Sequence, residues 1–184
     1  MKAITLWQPY ASLVAIGAKP HETRSWGTSY RGPIAIHAGL KPAHELDGIT
    51  SKAICKAFDW PYEPYKTDIA PLIRELPHGE VVATATLTEC WQVIKHTATA
   101  VVLRQSNGVG EDKIHIDTPY LMFGDYSVGR YIWALADIRV LPNPIPAKGK
   151  QGLWNFDTVM VRKHGAMGKS EFPAFEFIEG RSKP

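Results

Sequence analysis

The sequence contains few cysteines and no long apolar run, and both absences narrow its class. Its 184 residues include only two cysteines, Cys55 and Cys90, without the CxxC spacing of a metal or redox motif. Two free thiols in a reducing compartment are therefore expected. No apolar run approaches the roughly 18 residues that a membrane span requires. The first residues read as a strand, without the apolar run of a signal peptide. We expect a cytoplasmic protein that does not span a membrane.

Signatures of common catalytic and metal sites are also missing. The chain has neither a GxSxG nor an HExxH motif, and none of its seven histidines pairs with a cysteine or carboxylate at ligand spacing. Residues 165–170 end in Gly-Lys-Ser, but a phosphate-binding loop needs glycine at position 163, where lysine stands. We therefore expect neither a metal nor a cofactor.

Positive charge is in mild excess and is unevenly distributed. The net charge is +3 and the sequence pI is near 8.8. Residues 142–169 carry one acidic residue, Asp157, and five basic residues, which are Lys148, Lys150, Arg162, Lys163 and Lys169. A basic face of this kind suits contact with nucleic acid. A solvated surface is the alternative interpretation.

Apolar periodicity predicts about six strands and two or three helices. The predicted strands are residues 3–7, 21–26, 34–38, 79–89, 131–141 and 153–162. The predicted helices are residues 10–16, 41–58 and 68–76. This order predicts a mixed α/β domain whose strands can close as a small barrel.

Segments without a firm period are expected to be irregular. Residues 96–128 are predicted as an irregular excursion, and prolines at 142, 144 and 146 predict an extended loop. No linker divides the chain, so we expect one domain over residues 1–163. The remainder, residues 164–184, is rich in glycine and is expected to be a weakly ordered tail.

One short segment concentrates polar side chains that resemble a binding site. If residues 21–26 form a strand, Glu22 and Arg24 share one face, about 7 Å apart at roughly 3.3 Å per residue. Lys19 comes just before and can reach the same space. A lysine between a carboxylate and a guanidinium can have a lowered pKa, as in a general base. The alternative is a structural ion pair.

Aromatic and amide side chains near this cluster suit a planar polar ligand such as a nucleobase. Three tryptophans, Trp7, Trp26 and Trp154, are candidates for stacking, which is worth about 1–3 kcal/mol per base. Gln8 is placed either to bind a base edge or to cap the helix that follows. His37 faces either a pocket or the core. Stacking surfaces compete here with the simpler interpretation that these tryptophans are core residues.

Two groups of motifs together resemble the ASCH domain of the PUA-like superfamily. The first group comprises residues 6–11 (LWQPYA), 17–24 (GAKPHETR), 30–33 (YRGP) and 37–38 (HA). The second comprises residues 123–126 (FGDY), 129–133 (GRYIW) and 144–154 (PIPAKGKQGLW). The resemblance covers roughly residues 3–160.

The resemblance implies a fold and a set of activities. The implied fold is a PUA-like β-barrel of five or six strands flanked by helices, with a cleft beside the first helix. Relatives bind RNA or modified bases, some are described as ribonucleases, and a small bacterial type removes acyl groups from acetylated cytidine. In that type a lysine matching Lys19 and a threonine three residues later act in hydrolysis. Here Glu22 stands at the threonine position, with Thr23 next to it.

Three hypotheses follow. The first is binding of RNA, DNA or a modified nucleoside through a cleft of basic and aromatic side chains. The expected binding residues are Trp7, Gln8, Lys19, Arg24, Trp26, Tyr30, Arg31, His37, Lys148, Lys150, Gln151 and Trp154. The second is a metal-independent hydrolase, a ribonuclease or a nucleoside amidohydrolase, in which Lys19 is the general base and Glu22 and Arg24 assist it.

The third hypothesis is a protein-binding adaptor. Its sequence evidence is an aromatic group in a proline-broken segment, Trp60, Tyr62 and Tyr65, which would form an exposed anchor patch. The alternative is that these rings cover the side of the barrel. The sequence leaves the choice of base and the oligomeric state open.

Overall fold

Eight strands pair into a single sheet in the computed structural model, which describes residues 1–42, 47–105, 108, 110–115 and 118–157. The strands are β1 (Lys2–Gln8), β2 (His21–Arg24), β3 (Gly32–Pro42), β4 (Glu80–His96), β5 (Ala100–Gln105), β6 (Glu111–His115), β7 (Tyr131–Pro146) and β8 (Leu153–Asn155). The helices are α1 (Tyr10–Ala15), α2 (Gly48–Ala57), α3 (Ala70–Glu75) and a 3-10 helix (Pro119–Phe123). None of the described helices is long and apolar enough to cross a membrane.

The main path of the sheet runs β2-β7-β4-β3-β1-β8, and β5 pairs with β4 and β6. Among the described strands only β1 and β3 are parallel, and the other pairs are antiparallel. The described strands at the two ends of the path, β2 and β8, do not pair with each other. The prediction of a β-rich mixed α/β domain is therefore confirmed. Closure into a barrel is not confirmed, because backbone pairing leaves the sheet open.

The main core lies between one face of this sheet and α1. Alternation along β1 and β3 buries Ile4, Leu6 and Ile36 on that face, where they meet Trp133 of β7 and Val14 of α1. The other side of α1 packs against α2, α3 and the 3-10 helix, which form a second cluster. α1 is therefore buried on both sides, and this holds the polar residues that follow it in a fixed position.

At two places the predicted kind of secondary structure was wrong. Strand β3 runs to Pro42, where the sequence predicted a helix from residue 41; α2 begins only at Gly48. Its start is fixed by the Asp47 side chain, which accepts a hydrogen bond of 2.7 Å from the Thr50 backbone N–H. At the other predicted break, β7 continues through three prolines to Pro146 instead of forming a loop.

The prolines of β7 are tolerated because they occupy alternate positions. Their missing N–H groups then lie along one edge of the strand, and proline is compatible with an unpaired edge. β2 pairs with β7 over residues 131–134, and the Leu135 N–H donates to the Pro20 carbonyl just before β2, so β2 itself does not reach the prolines. On the opposite edge, β4 still pairs with Ile145 and Pro146.

Residues 96–128 were predicted as irregular, and this was also wrong. They contain β5, β6 and the 3-10 helix. β5 begins with four consecutive buried residues, so it has no alternating pattern to detect. The second half of the predicted last strand and residues 164–184 lie outside the described residues, so the boundary at 163 and the weakly ordered tail remain predictions.

Candidate functional site

A buried ion cluster forms between the end of α1 and β2. Lys19 Nζ donates to the His21 carbonyl at 2.6 Å and lies 3.4 Å from Glu22 Oε2. Glu22 Oε1 lies 3.0 Å from Arg24 Nε. Lys19 is 1% exposed and Glu22 8% exposed. The three side chains therefore converge, as their predicted positions on the strand suggested.

Burial dominates the electrostatics of this cluster. It lowers the pKa of Lys19, while the charge of Glu22 acts in the opposite direction and Arg24 adds to the lowering. The ring of Tyr10 lies 5.8 Å from Lys19 Nζ. Burial raises the pKa of Tyr10, with further contributions from Asp47 and Glu22. Sequence reasoning missed Tyr10, although it lies within the motif of residues 6–11.

Arg24 links the cluster to β1, close to the other end of the sheet path. Its Nη2 donates to the Thr5 carbonyl at 2.8 Å. β8 pairs with β1 only at residues 2–4, so the Thr5 carbonyl lies on an edge that β8 does not cover. The Arg24 side chain is 26% exposed, against 10% for Glu22 and 2% for Lys19. Arg24 is thus the member of the cluster that reaches solvent.

The side chain of Thr5 makes a second set of contacts with residues 147–152, which we call the lysine loop. Thr5 Oγ1 donates to the Lys150 carbonyl at 3.0 Å and accepts from Trp154 Nε1 at 3.2 Å. Gly149 lies so close that a Cβ added there would clash with His37 Cε1. Only glycine fits at this approach, so the loop is held against β1 and β3.

His37 and Trp154 lie beneath the lysine loop. His37 Nε2 donates to the Ala147 carbonyl at 3.0 Å, and the His37 ring meets Trp154 edge to face at 5.7 Å. Burial lowers the pKa of His37, and its hydrogen bonds to the backbone of Ala147 and Gly79 act in the opposite direction. Both residues are less than a tenth exposed. Both side chains therefore pack in the interior, where they support the lysine loop.

Exposed side chains follow Thr5 in β1 and are carried by the lysine loop that Thr5 contacts. Trp7 is 49% exposed. A Cβ added at Gly39 would lie 3.3 Å from Thr5 Cγ2 and 3.6 Å from Trp7 Cδ1, so Thr5 and Trp7 flank the same glycine. The lysine loop contributes exposed polar residues, which are Lys148, Lys150 and Gln151. We call Trp7, Arg24, Lys148, Lys150 and Gln151 the Thr5 surface.

Gln8 is buried, and both ends of its amide are used within the chain. Nε2 donates to Ser12 Oγ and to the Pro77 carbonyl, both at 2.7 Å, and Oε1 accepts from the Ser12 N–H at 3.1 Å. Of the two sequence interpretations, anchoring the start of α1 is the one that the geometry supports. Trp26 is 36% exposed and stands edge-on against Trp133 at 4.7 Å.

Tyr30 and Arg31 lie at the opposite end of β1. Tyr30 Oη donates to the Pro33 carbonyl at 2.6 Å, and Arg31 Nη1 donates to the Thr28 carbonyl at 2.9 Å. They directly precede β3, which pairs with β1 so that residue 34 meets residue 2 and residue 37 meets residue 5. Residues 2 and 5 are about 10 Å apart along β1 at roughly 3.3 Å per residue, and Tyr30 and Arg31 lie beyond the residue 2 end. The predicted binding residues form two groups, not one.

Two of the three aromatic side chains that the adaptor hypothesis uses are partly buried. Trp60 and Tyr62 pack against the second apolar cluster, whereas Tyr65 is fully exposed. The basic residues Arg162, Lys163 and Lys169 lie outside the described residues.

Two surface depressions can be described in the part of the chain that the structure covers, and the ion cluster lines neither of them. One, of about 520 Å³, is lined by residues that include Met1, Tyr30 and Phe156. The other, of about 560 Å³, is lined by residues that include Met122 and Tyr126. Within the described residues no group of three or more histidine, cysteine or acidic side chains is placed to hold a metal ion.

A comparison with protein families gives a match to this chain. A family model described as the ASCH domain matches residues 4–119, well over half of the 184-residue chain. The matched span contains Trp7 and the ion cluster but ends before the lysine loop. A search of curated proteins gave no match.

Proposed function

Because this chain belongs to the ASCH domain family, we propose that it binds single-stranded nucleic acid, RNA above all, or a modified nucleotide, at the Thr5 surface. Membership of the family points to RNA binding or a related function. The arrangement around Thr5 supports this surface as the site, because it combines an exposed ring with cations on a fixed backbone. Proteins bind single strands by stacking bases on aromatic rings and pairing phosphates with basic groups.

The observation that carries the proposal is the double contact of Thr5. Its carbonyl accepts from Arg24 while its hydroxyl donates to the Lys150 carbonyl. Thr5 therefore contacts both the Arg24 guanidinium and the lysine loop at the edge of β1. The exposed Trp7 follows two positions later in the same strand. Stacking on Trp7 requires an unpaired base, because the bases of a duplex are already stacked on each other. This favours a single strand or a free nucleotide over a duplex.

In this proposal the buried members of the ion cluster position Arg24. A guanidinium whose Nη2 is bound to a backbone carbonyl and whose Nε faces Glu22 is held in one orientation. Its remaining N–H groups are then preorganised for a phosphate, and less side-chain entropy is lost on binding. Lys19 neutralises Glu22 from the other side, so the buried carboxylate is not left with a single partner.

A binding titration tests the proposal. Short single-stranded RNA, single-stranded DNA, duplex RNA and acetylated cytidine are titrated while the salt concentration is raised. If Arg24, Lys148 and Lys150 each contact a phosphate, log K should fall with log[salt] with a slope of about −2, at roughly −0.7 per contact for a single strand. Duplex RNA should bind more weakly than the single strand. Affinity that does not change with salt for any ligand, or a preference for duplex, contradicts the proposal.

A second candidate function is hydrolysis, with Lys19 as general base. The observation in its favour is the lowered pKa of Lys19. A substrate must then reach an amine that is 1% exposed, which requires the cluster to open. Purified protein is incubated with RNA and with acetylated cytidine in the presence of chelator. Turnover that is abolished by Lys19→Met in a folded protein supports this candidate; turnover unchanged by Lys19→Met, or no turnover at all, rejects it.

A further inference from the structure

We propose that Trp26 adds a second stacking ring to the Thr5 surface. The ligand is then a single strand of several nucleotides, which stacks one base on Trp7 and another on Trp26 and places a phosphate at Arg24 between them. A nucleoside or a mononucleotide would use only one of the two rings. This inference rests on the proposed function and goes further, because it names the length class of the ligand.

Trp26 is placed near the Thr5 surface by Arg24, which precedes it by two residues. Two residues span at most about 7 Å of chain, and Trp7 follows Thr5 at the same spacing in β1. Arg24 Nη2 donates to the Thr5 carbonyl at 2.8 Å, so each indole is two residues from one end of this hydrogen bond. Trp7 is 49% exposed and Trp26 is 36% exposed, so both rings reach solvent.

The two indoles lie on opposite sides of this hydrogen bond. β2 is antiparallel to β7, β7 to β4 and β4 to β3, whereas β3 is parallel to β1. β2 and β1 therefore run in opposite directions where Arg24 meets Thr5. From that point one strand leads to Trp26 and the other leads to Trp7. A ligand strand that passes over Arg24 along this line meets one ring before the guanidinium and the other ring after it.

The chain around Trp26 is held in place on β7. The Trp26 carbonyl accepts from Trp133 Nε1 at 3.4 Å, and the two indoles meet edge to face. The next residue, Gly27, is close to Tyr131, because a Cβ added to this glycine would lie 2.6 Å from Tyr131 Cε1. Trp26 is therefore positioned before any ligand arrives, and an aromatic ring held in this way loses little side-chain entropy when a base stacks on it.

The order of groups on the protein matches the order of groups in a nucleic acid strand. A ring, a cation and a second ring follow one another as Trp7, Arg24 and Trp26, and the Arg24 side chain is 26% exposed. Bases and phosphates alternate in the same way along a single strand, and proteins bind them by stacking and by charge. The lysine loop, which Thr5 contacts through the Lys150 carbonyl, adds cations for the neighbouring phosphates.

The separation of the rings sets the length of the ligand. Two residues on each side of the hydrogen bond place the indoles roughly 13 Å apart along the strand direction. The nucleotides of a stacked strand repeat about every 3.4 Å, so this separation corresponds to about four stacked steps, and to fewer steps in an extended strand. Neighbouring stacked bases are too close together to occupy both rings. We therefore expect full affinity only from oligonucleotides that can span this distance.

The first test follows the indole N–H signals of the wild-type protein by NMR. Uridine monophosphate and a uridine octanucleotide are added separately at low salt. With the octanucleotide the signals of both Trp7 and Trp26 should shift, whereas Trp60, which packs against the second apolar cluster, should not respond. If Trp7 shifts and Trp26 does not, this inference is wrong and the proposed function stands.

The second test measures the affinity of Trp26→Leu for the same two ligands. Leucine keeps an apolar contact with Trp133 but has no ring. Affinity for the octanucleotide should fall by about fivefold or more, as expected for the loss of one stacked base, while affinity for the monophosphate should fall by less than about twofold. The control is Trp91→Leu, which changes a half-buried tryptophan that packs against Val101 and Leu103 of β5. Thermal denaturation shows whether each variant is folded.

The outcomes separate this inference from the function on which it rests. Equal losses of affinity for the two ligands, or the same loss in Trp91→Leu as in Trp26→Leu, overturn the second ring. An octanucleotide affinity that falls in Trp7→Ala and is unchanged in Trp26→Leu also overturns it, but leaves the Thr5 surface as the binding site. If the wild type binds neither ligand, the proposed function fails and this inference fails with it.

Discussion

Arg24 and Thr5 are 19 positions apart and lie on strands that never pair, yet Arg24 Nη2 donates to the Thr5 carbonyl at 2.8 Å. This bond brings β2, at one end of the sheet path, against β1 near the other end. Backbone pairing leaves the sheet open there, and a side chain spans the gap. The same bond holds the guanidinium at the residue whose hydroxyl contacts the Lys150 carbonyl of the lysine loop.

Removing the guanidinium tests its role in phosphate contact. Arg24→Gln should weaken binding of single-stranded RNA by about tenfold and reduce the magnitude of the salt slope by roughly 0.7. Arg104→Gln is the matched control, because Arg104 is an exposed arginine of β5, also paired with a glutamate, that lies away from Thr5. Salt-dependent titrations of both variants give the comparison. Equal losses in the two variants would show a general charge effect and no specific site.

The exposed indole should contribute stacking energy and little stability. Trp7→Ala should cost about 1–3 kcal/mol of binding free energy, while Trp7→Phe should retain much of the affinity because it keeps a ring. Tyr65→Ala serves as the control for loss of an exposed aromatic outside the surface. Binding is followed by anisotropy of labelled RNA, and folding by thermal denaturation. If Trp7→Ala binds as well as Tyr65→Ala, the indole is not a stacking surface.

The lysine loop should depend on the missing side chain at position 149. Gly149→Ala places a methyl group against the His37 ring, and overpacking of this kind costs about 1–3 kcal/mol. His37→Ala removes that ring. Denaturant titrations of the two single variants and the double variant form a cycle, and the double variant should lose less stability than the sum of the singles. Strict additivity would mean that the two residues do not meet.

The stability of the fold should decline in moderately acidic solution because of His21. Burial, followed by the charge of Lys19, lowers the pKa of His21 from 6.5 to about 4. As the pH falls from about 6.5, the unfolded chain binds the proton first, so stability decreases down to about pH 4 and then levels off for this group. The loss is on the order of 3 kcal/mol.

His21→Phe isolates this contribution, because phenylalanine keeps a ring against Tyr120 without the titrating group. The free energy of unfolding is measured between pH 4 and 7 for the wild type, His21→Phe and the exposed control His115→Gln. His37, whose pKa is also lowered, still acts in all three. The pH slope should be shallower in His21→Phe only. An unchanged slope in that variant would contradict the assignment.

Lys19 should matter to stability because it is buried with a carboxylate. Lys19→Met leaves Glu22 without one of its two cations, and breaking a buried pair costs about 3–5 kcal/mol. The chain supplies a matched control in Lys66, which pairs with Glu63 at the same sequence spacing but in solvent. Lys66→Met should change the free energy of unfolding by less than about 1 kcal/mol. Similar changes in the free energy of unfolding for both variants would show that the buried cluster has no special role in stability.

The sequence predicted the parts of the molecule that have a clear period or a family motif. The predicted ends of the first strand and of α1 lie within one residue of the observed ends. The convergence of Glu22 with Arg24 followed from alternation in β2. The burial of Lys19 agrees with the alternative interpretation of this cluster as a structural ion pair. Each of these features depends on contacts within a few residues.

Features that depend on distant contacts were not predictable. Gln8 was a candidate for base recognition, but it is used by Ser12 and by Pro77, 69 positions away. β5 showed no alternation because both of its faces are buried. The contacts of Thr5 were not predictable, because a threonine in a strand gives no sequence signal for partners that lie far away in the chain.

An NMR titration of the full-length protein with a short single-stranded RNA tests the central claim most directly. Backbone amide and indole signals are followed as RNA is added at low salt. We predict the largest changes at Thr5, Trp7 and Arg24 and in the lysine loop, with small changes at Tyr30 and Arg31 at the far end of β1. Changes confined to Tyr30 and Arg31, or to the depression beside Met122, would contradict the account.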